Sequence, residues 1–249
     1  MKNITPFSRL FLGFAIFAAA PVAVHANSMT PRAVVELYTS QGCNSCPPAD
    51  QALADIAQSR DDILVLSFHV DYWNYLGWED PFSDPANTKR QKDYASGLQA
   101  RYVFTPQVII NGTDVVRAPD SSHIANAVDR HIALPVLARL DLTPPPNSET
   151  LPSGTLTLEA SADVNADSRM HLWLVGFDRQ RSSNVATGEN AGRTLKHVNV
   201  VRELIDLGPW QGDSRTIPIQ LAKKCDGGIA VLVQNGPGGP IHSAVMARF

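Results

Sequence analysis

Cys43-Asn44-Ser45-Cys46 holds two of the chain's three cysteines, and that spacing supports three kinds of chemistry. The two thiols can cycle between dithiol and disulfide, clamp a soft metal ion, or stay closed as a staple. A β-type run precedes the pair and a helical pattern follows it. A helix start offers a positive dipole end and unpaired N–H groups, which lower the pKa of the first thiol. On this reading Cys43 is the exposed, attacking sulfur, and Cys46, one turn in, resolves the mixed disulfide. Gly42 allows the tight turn ahead of them. Pro47 and Pro48 need no N–H partner in a first helical turn. Cys225, the odd cysteine, reads as a small buried hydrophobe.

The elements that must hold this pair follow from periodicity. Val34–Thr39 is a strand, and Leu53, Ile56 and Ala57 give Asp50–Gln58 a helical face. Ile63–His69 reads as a buried parallel strand. Asp84-Pro85 is a cap and first-turn proline for a polar helix reaching Leu98. Gln107–Asn111 and Val115-Val116 flank an Asn111-Gly112 turn. Asp120 or Ser121 caps a last helix carrying Ile124, Val128 and Ile132.

The order β-α-β-α-β-β-α over residues 31–142 predicts an α/β thioredoxin-like domain. Thr143–Gly154 has linker composition. Residues 155–249 then show short strands at Thr155–Ala160, His171–Phe177, Val198–Asp206, Thr216–Leu221, Ile229–Gln234 and His242–Ala247. That run predicts a separate, mainly antiparallel β-sandwich-like domain.

If the first two strands are parallel, their C-terminal ends share one edge, and His69, Asp71 and Trp73 come near Cys43. His69 can stabilise or protonate a thiolate, or add a third ligand to the two cysteines in a Cu(I) site. The aromatic stretch from His69 to Phe82 can wall a substrate cleft or form its own small core. Thr105-Pro106, just before a hairpin strand, resembles the cis-proline step of thioredoxin-like proteins, which in that family lies against the cysteine pair. Glu36 invites comparison with the buried carboxylate of thioredoxins, although it lies seven residues before Cys43, one more than in thioredoxin. Gly188–Leu204, with Glu189, Asn190, Arg193, His197 and Asn199, is either a long inter-strand connection or a loop folded against the cysteine edge.

The chain has 249 residues, 21 basic and 24 acidic side chains, and a net charge of −3. No basic patch or charge run points to nucleic acid. Residues 1–26 read as a secretory leader: Lys2 and Arg9, the apolar run Leu10–Val24, and a small-residue step ending at Ala26. Removing Lys2 and Arg9 takes two positive charges from −3 and leaves −5. No later apolar run is long enough to span a membrane. The expected product is an exported protein, periplasmic or secreted, with no membrane partner once the leader is gone. In an oxidising compartment the resting form of the pair is a disulfide.

ELYTSQGCNSCPPAD, HVDYWN, the Thr105-Pro106 step and GENAGRTLKHVNVVREL together resemble the family of secreted bacterial proteins called domain of unknown function 1223. The resemblance covers nearly the whole chain after the leader. It implies a thioredoxin-like fold followed by a β-rich part, and no settled reaction. Three expectations follow. The first is an exported thiol–disulfide oxidoreductase that needs no cofactor and acts on a protein or small-molecule thiol or disulfide, with Cys43, Cys46 and Pro106 at its centre and Thr105, His69, Asp71, Trp73 and Glu36 in support. The second is a Cu(I)-binding module using Cys43, Cys46 and His69. The third is a non-catalytic interaction protein whose disulfide only braces a helix start. The spacing of the cysteines does not set the direction of electron flow or the oligomeric state.

Overall fold

The computed structural model describes residues 28–117, 120–134, 138–141, 153–159 and 170–249. The expected leader and most of the expected linker lie outside the described residues. Along the chain run β1 (Ser28–Met29), β2 (Ala33–Thr39), α1 (Pro47–Ser59), β3 (Ile63–His69), α2 (Pro85–Gly97), β4 (Gln107–Ile110), β5 (Asp114–Val116) and α3 (Ser121–Arg130). There follow β6 (Ala138–Asp141), β7 (Ser153–Leu158), β8 (Met170–Asn184), β9 (Thr194–Trp210), β10 (Arg215–Gln220), β11 (Gly228–Asn235) and β12 (Ile241–Arg248).

Nine of these strands form one mixed sheet, ordered β1-β12-β11-β8-β9-β3-β2-β4-β5. This overturns the expected thioredoxin-like α/β domain with a separate sandwich. The strands of both halves are hydrogen-bonded neighbours, and only β10-β7-β6 form a second, three-stranded sheet. The short strands expected at His171–Phe177 and Val198–Asp206 are in fact parts of a 15-residue and a 17-residue strand. Their polar extensions read as loop in the sequence, but they form the arm that reaches the first half.

The junction is narrow. β3 and β9 run parallel, with Ser67 opposite Val200. Ser67 Oγ donates to the Val198 carbonyl at 2.8 Å, and Asn199 Nδ2 donates to the Val65 carbonyl at 2.9 Å. Asn199 has φ +44°, a region that Asn tolerates better than most side chains. Its side chain thus replaces part of a regular ladder between the two strands.

β2 and β3 are parallel and buried on both faces. Strand alternation sends Val35, Leu37, Ile63 and Val65 to one face, where they pack with Leu53 and Ile56 of α1 and Ile124 and Val128 of α3. Val34, Tyr38, Leu64, Leu66 and Phe68 take the other face with Tyr94 of α2, and this cluster continues into Phe177, Val201, Leu232 and Met246. A core shared by both halves explains why the sheet is continuous. A third cluster joins Leu156, Leu158 and Ile219 of the small sheet to Leu172, Leu174, Val231 and Val245 of the large one.

Candidate active site

Cys43 and Cys46 are joined by a disulfide at the start of α1, with Cα atoms 5.4 Å apart. Cys46 is the N-cap, and its carbonyl accepts from Ala49 and Asp50 N–H groups at 2.9 and 3.1 Å. Pro47 and Pro48 fill the first two helical positions, so the first turn supplies fewer free N–H groups than expected. The helix dipole remains. Cys46 N–H donates to the Cys43 carbonyl, and Cys43 Sγ lies 3.4 Å from Ser45 Oγ.

The exposed position expected for Cys43 is not what the structure shows: Cys43 is 1% exposed and Cys46 0%. Two further segments cover them. Trp73 packs on Gly42 so tightly that an added Cβ would come within 3.0 Å of Trp73 Cβ, so the glycine serves close approach. Trp73 Nε1 donates to Thr105 Oγ1 at 2.7 Å. The Thr105–Pro106 peptide is cis, and Gln107 registers with Tyr38, which puts Pro106 beside the end of β2.

The second cover is the β8–β9 loop, residues 185–193. Asn190 Nδ2 donates to the carbonyls of Gln41 and Cys43, both at 2.9 Å. Glu189 Oε2 accepts from Asn44 N–H at 3.2 Å, and Thr187 Oγ1 donates to the Gly77 carbonyl. Arg193 holds Asn190 in place through its Oδ1 at 2.6 Å. So the GENAGR segment does fold against the cysteine edge.

Asn190→Ala deletes two of these bonds. At about 1.4 kcal/mol lost in total, the loop opens about tenfold more often. We expect a small phosphine reductant to cut the disulfide about tenfold faster in this variant, read by timed alkylation and mass spectrometry. An unchanged rate would show that the loop is not the barrier.

Gln41 is a buried hub that the sequence did not single out. Its N–H donates to Asp80 Oδ2 at 2.9 Å, its amide donates to Ser183 Oγ at 3.0 Å, and it accepts from Trp78 Nε1 at 2.9 Å. Beneath it, His69 Nδ1 meets Asp80 Oδ2 at 2.7 Å. The His69 ring packs edge-on against His197 and Phe82, with centroids 4.5 and 5.4 Å away. His69 is therefore linked to the cysteine loop through Asp80 and the Gln41 backbone. Asp71 is bound to Thr88 Oγ1 at 2.5 Å, on α2. Glu36 lies on the opposite sheet face, paired with Arg90 at 2.8 Å. Among the described residues no group of three or more His, Cys, Asp or Glu stands close enough together to hold a metal ion, so the Cys43–Cys46–His69 ligand set is not assembled.

Burial lowers the His69 pKa, but Asp80 and then Asp50 more than offset it, and the net shift is upward. Asp80 is likewise pushed up by burial and brought down further by His69 and backbone N–H groups. The raised His69 contributes stability that is complete below about pH 6.5 and is lost as pH rises through its higher folded value. The depressed Asp80 contributes above about pH 4, and that part is lost as pH falls through its lower folded value. We expect the stability gap between wild type and His69→Asn to be widest between these limits and to shrink above them. Urea midpoints across pH measure it, and a gap independent of pH would contradict the assignment.

Asp50 and His197 complete the site and were not linked by the sequence reading. Asp50 Oδ1 and His197 Nδ1 are 3.5 Å apart, within ion-pair range, yet neither atom has a hydrogen-bond partner among the described residues. They lie far apart in the chain, and α1 and β9 bring them together only because β9 joins β3. The available signal was a carboxylate four residues after Cys46 and a histidine in the polar segment before an apolar run.

A family model described as a protein of unknown function (DUF1223) matches residues 34–234. The crystal structure of protein AGR_C_4864 from Agrobacterium tumefaciens is similar, with a TM-score of 0.69 at 31% identity, over 88% of this chain and 95% of that one. HBP35 of Porphyromonas gingivalis is similar in fold, with a TM-score of 0.66 at 16% identity, over 88% of this chain and 76% of that one. A comparison with curated proteins finds no match.

Proposed function

We propose that this chain, which belongs to the DUF1223 family, a family described without a reaction, is an exported thiol–disulfide oxidoreductase acting through Cys43 and Cys46. The observation that carries the reading is the cystine at the start of α1, closed over buried ionisable groups. As a staple it is weak: a four-residue ring gives about 2 kcal/mol on the chain-entropy model, against about 3 for a 15-residue loop. A staple also needs no buried carboxylate and imidazole beside it. The leader-like composition of residues 1–26 supports export.

In the oxidising direction a substrate thiolate attacks Cys43 Sγ. A substrate–Cys43 bond forms, the Cys43–Cys46 bond breaks, and the electron pair goes to Cys46 Sγ. A second substrate thiolate then attacks the mixed disulfide, releasing Cys43 as thiolate and the substrate as disulfide. The reverse sequence reduces a substrate disulfide.

The test is reaction of the reduced protein with an excess of an aromatic disulfide, followed by the absorbance of the released thiolate. The expected result is two equivalents released per chain and a re-formed Cys43–Cys46 bond by peptide mapping. Release confined to Cys225, or none from the folded protein, would overturn the proposal.

A further inference from the structure

We propose that the buried Asp50–His197 pair is the proton carrier for Cys46, protonating its sulfur when the disulfide opens and withdrawing that proton when it closes. The inference rests on the thiol-exchange reading and deepens it by assigning proton-transfer residues to the same site.

Asp50 follows Cys46 by four residues in α1, with its N–H on the Cys46 carbonyl, so the two side chains share one helix face about 5–6 Å apart at Cβ. Asp50 is 4% exposed and His197 1%. Burying ionisable groups with facing atoms unbonded is costly, and purely structural buried polar groups are normally satisfied. Around His197 stand the His69 ring, Phe82, and Gln41 Nε2 at 3.5 Å.

A route to bulk water lies on the other side. A cleft of about 240 Å³ between the start of α1 and the start of β9 is lined by Pro47, Asp50, Gln51, Arg193, Leu195 and Lys196. The charged and titratable groups facing the pair are His69 and Asp80 below it, Arg202 farther along β9 over Phe82, Arg193 and Lys196 along the cleft, and Glu189 on the covering loop. Glu36 is no competitor, because it is bound to Arg90 across the sheet.

The step balances without a co-reactant. When the Cys43–Cys46 bond breaks, Cys46 Sγ receives the electron pair and takes a proton from the Asp50–His197 pair. A proton from the cleft then reloads the pair. In the reverse direction the pair accepts the Cys46 proton as its sulfur attacks Cys43 Sγ.

Cys43→Ser isolates Cys46, whose thiolate is titrated by ultraviolet absorbance and alkylation rate, with and without Asp50→Asn. Losing a negative neighbour should raise the thiolate fraction below its midpoint about tenfold. In the protein with intact cysteines, Asp50→Asn and His197→Gln should each slow resolution of a Cys43 mixed disulfide about a hundredfold, with the pH profile altered. An easier thiolate combined with slower resolution is a pairing that simple loosening of the fold does not produce. If either variant fails to fold, the wild-type reduced-minus-oxidised infrared spectrum decides: it must contain a carboxyl or imidazole protonation band. Unchanged titration and resolution in folded variants, or no such band, would overturn the assignment. The aromatic-disulfide reaction of the wild type would still stand, so failure here is separable from failure of the exchange reading.

Discussion

Replacing Arg90 with methionine lowers the unfolding free energy by about 3–5 kcal/mol, because it leaves the Glu36 carboxylate buried without a counter-charge. Arg90 is 3% exposed and Glu36 0%. The guanidinium also donates to Gln234 Oε1 at 3.2 Å and Tyr94 OH at 3.1 Å, and lies over the rings of Phe68, Tyr94 and Trp173. Its partners come from β2, α2 and β11, so the ion pair fastens α2 to both halves of the sheet. The pair itself contributes less than its rupture costs. The double variant Glu36→Gln, Arg90→Met should therefore recover much of the loss, since desolvating two charges offsets their attraction. Denaturant midpoints of the three proteins measure both effects. A single variant within about 0.5 kcal/mol of wild type, the usual range for a surface change, would contradict the account.

The second large effect concerns the order of the sulfurs. Cys43→Ser should abolish exchange, whereas Cys46→Ser should react once and stop as a mixed disulfide on Cys43. Both residues are buried, so exposure does not distinguish them. Position does. Cys46 is built into the helix start through its carbonyl, while Cys43 sits in the loop whose carbonyl is clamped by Asn190. Loosening that clamp uncovers Cys43 first. Intact-mass spectrometry after a disulfide probe reads the outcome. A stable adduct on Cys46 in Cys43→Ser, with Cys46→Ser inert, would reverse the roles.

The elements around the cysteines were legible because they are local. The cysteine spacing, the strand before it and the prolines after it lie within one short stretch, and the polar 188–204 segment stood out before an apolar run. The continuous sheet was not legible. β3 meets β9 through one registered pair, Ser67 and Val200, with side-chain bonds from Ser67 and Asn199 doing the rest, and nothing in either strand announces the other. The sequence left open whether residues 188–204 fold against the cysteine edge, since Asn190 reaches Cys43 only once β9 is in place. α2 lies where its cap and proline put it, but its buried face is Asn87, Thr88, Arg90, Gln91 and Tyr94, a polar set that hydrophobic periodicity cannot flag. His69 was placed at the correct strand end, and its partner Asp80 belongs to the aromatic loop, which folds back through Asn74 to bring Asp80 beneath Gln41.

The proposed function requires Cys43–Cys46 to be a working redox couple in a folded protein. Equilibration in graded glutathione buffers, followed by acid quench and alkylation, counts the open and closed forms by mass. One reversible two-electron transition above roughly −300 mV is expected, with unchanged far-ultraviolet circular dichroism in both states. A pair that stays closed throughout the glutathione range, and opens only when the chain unfolds, would contradict it.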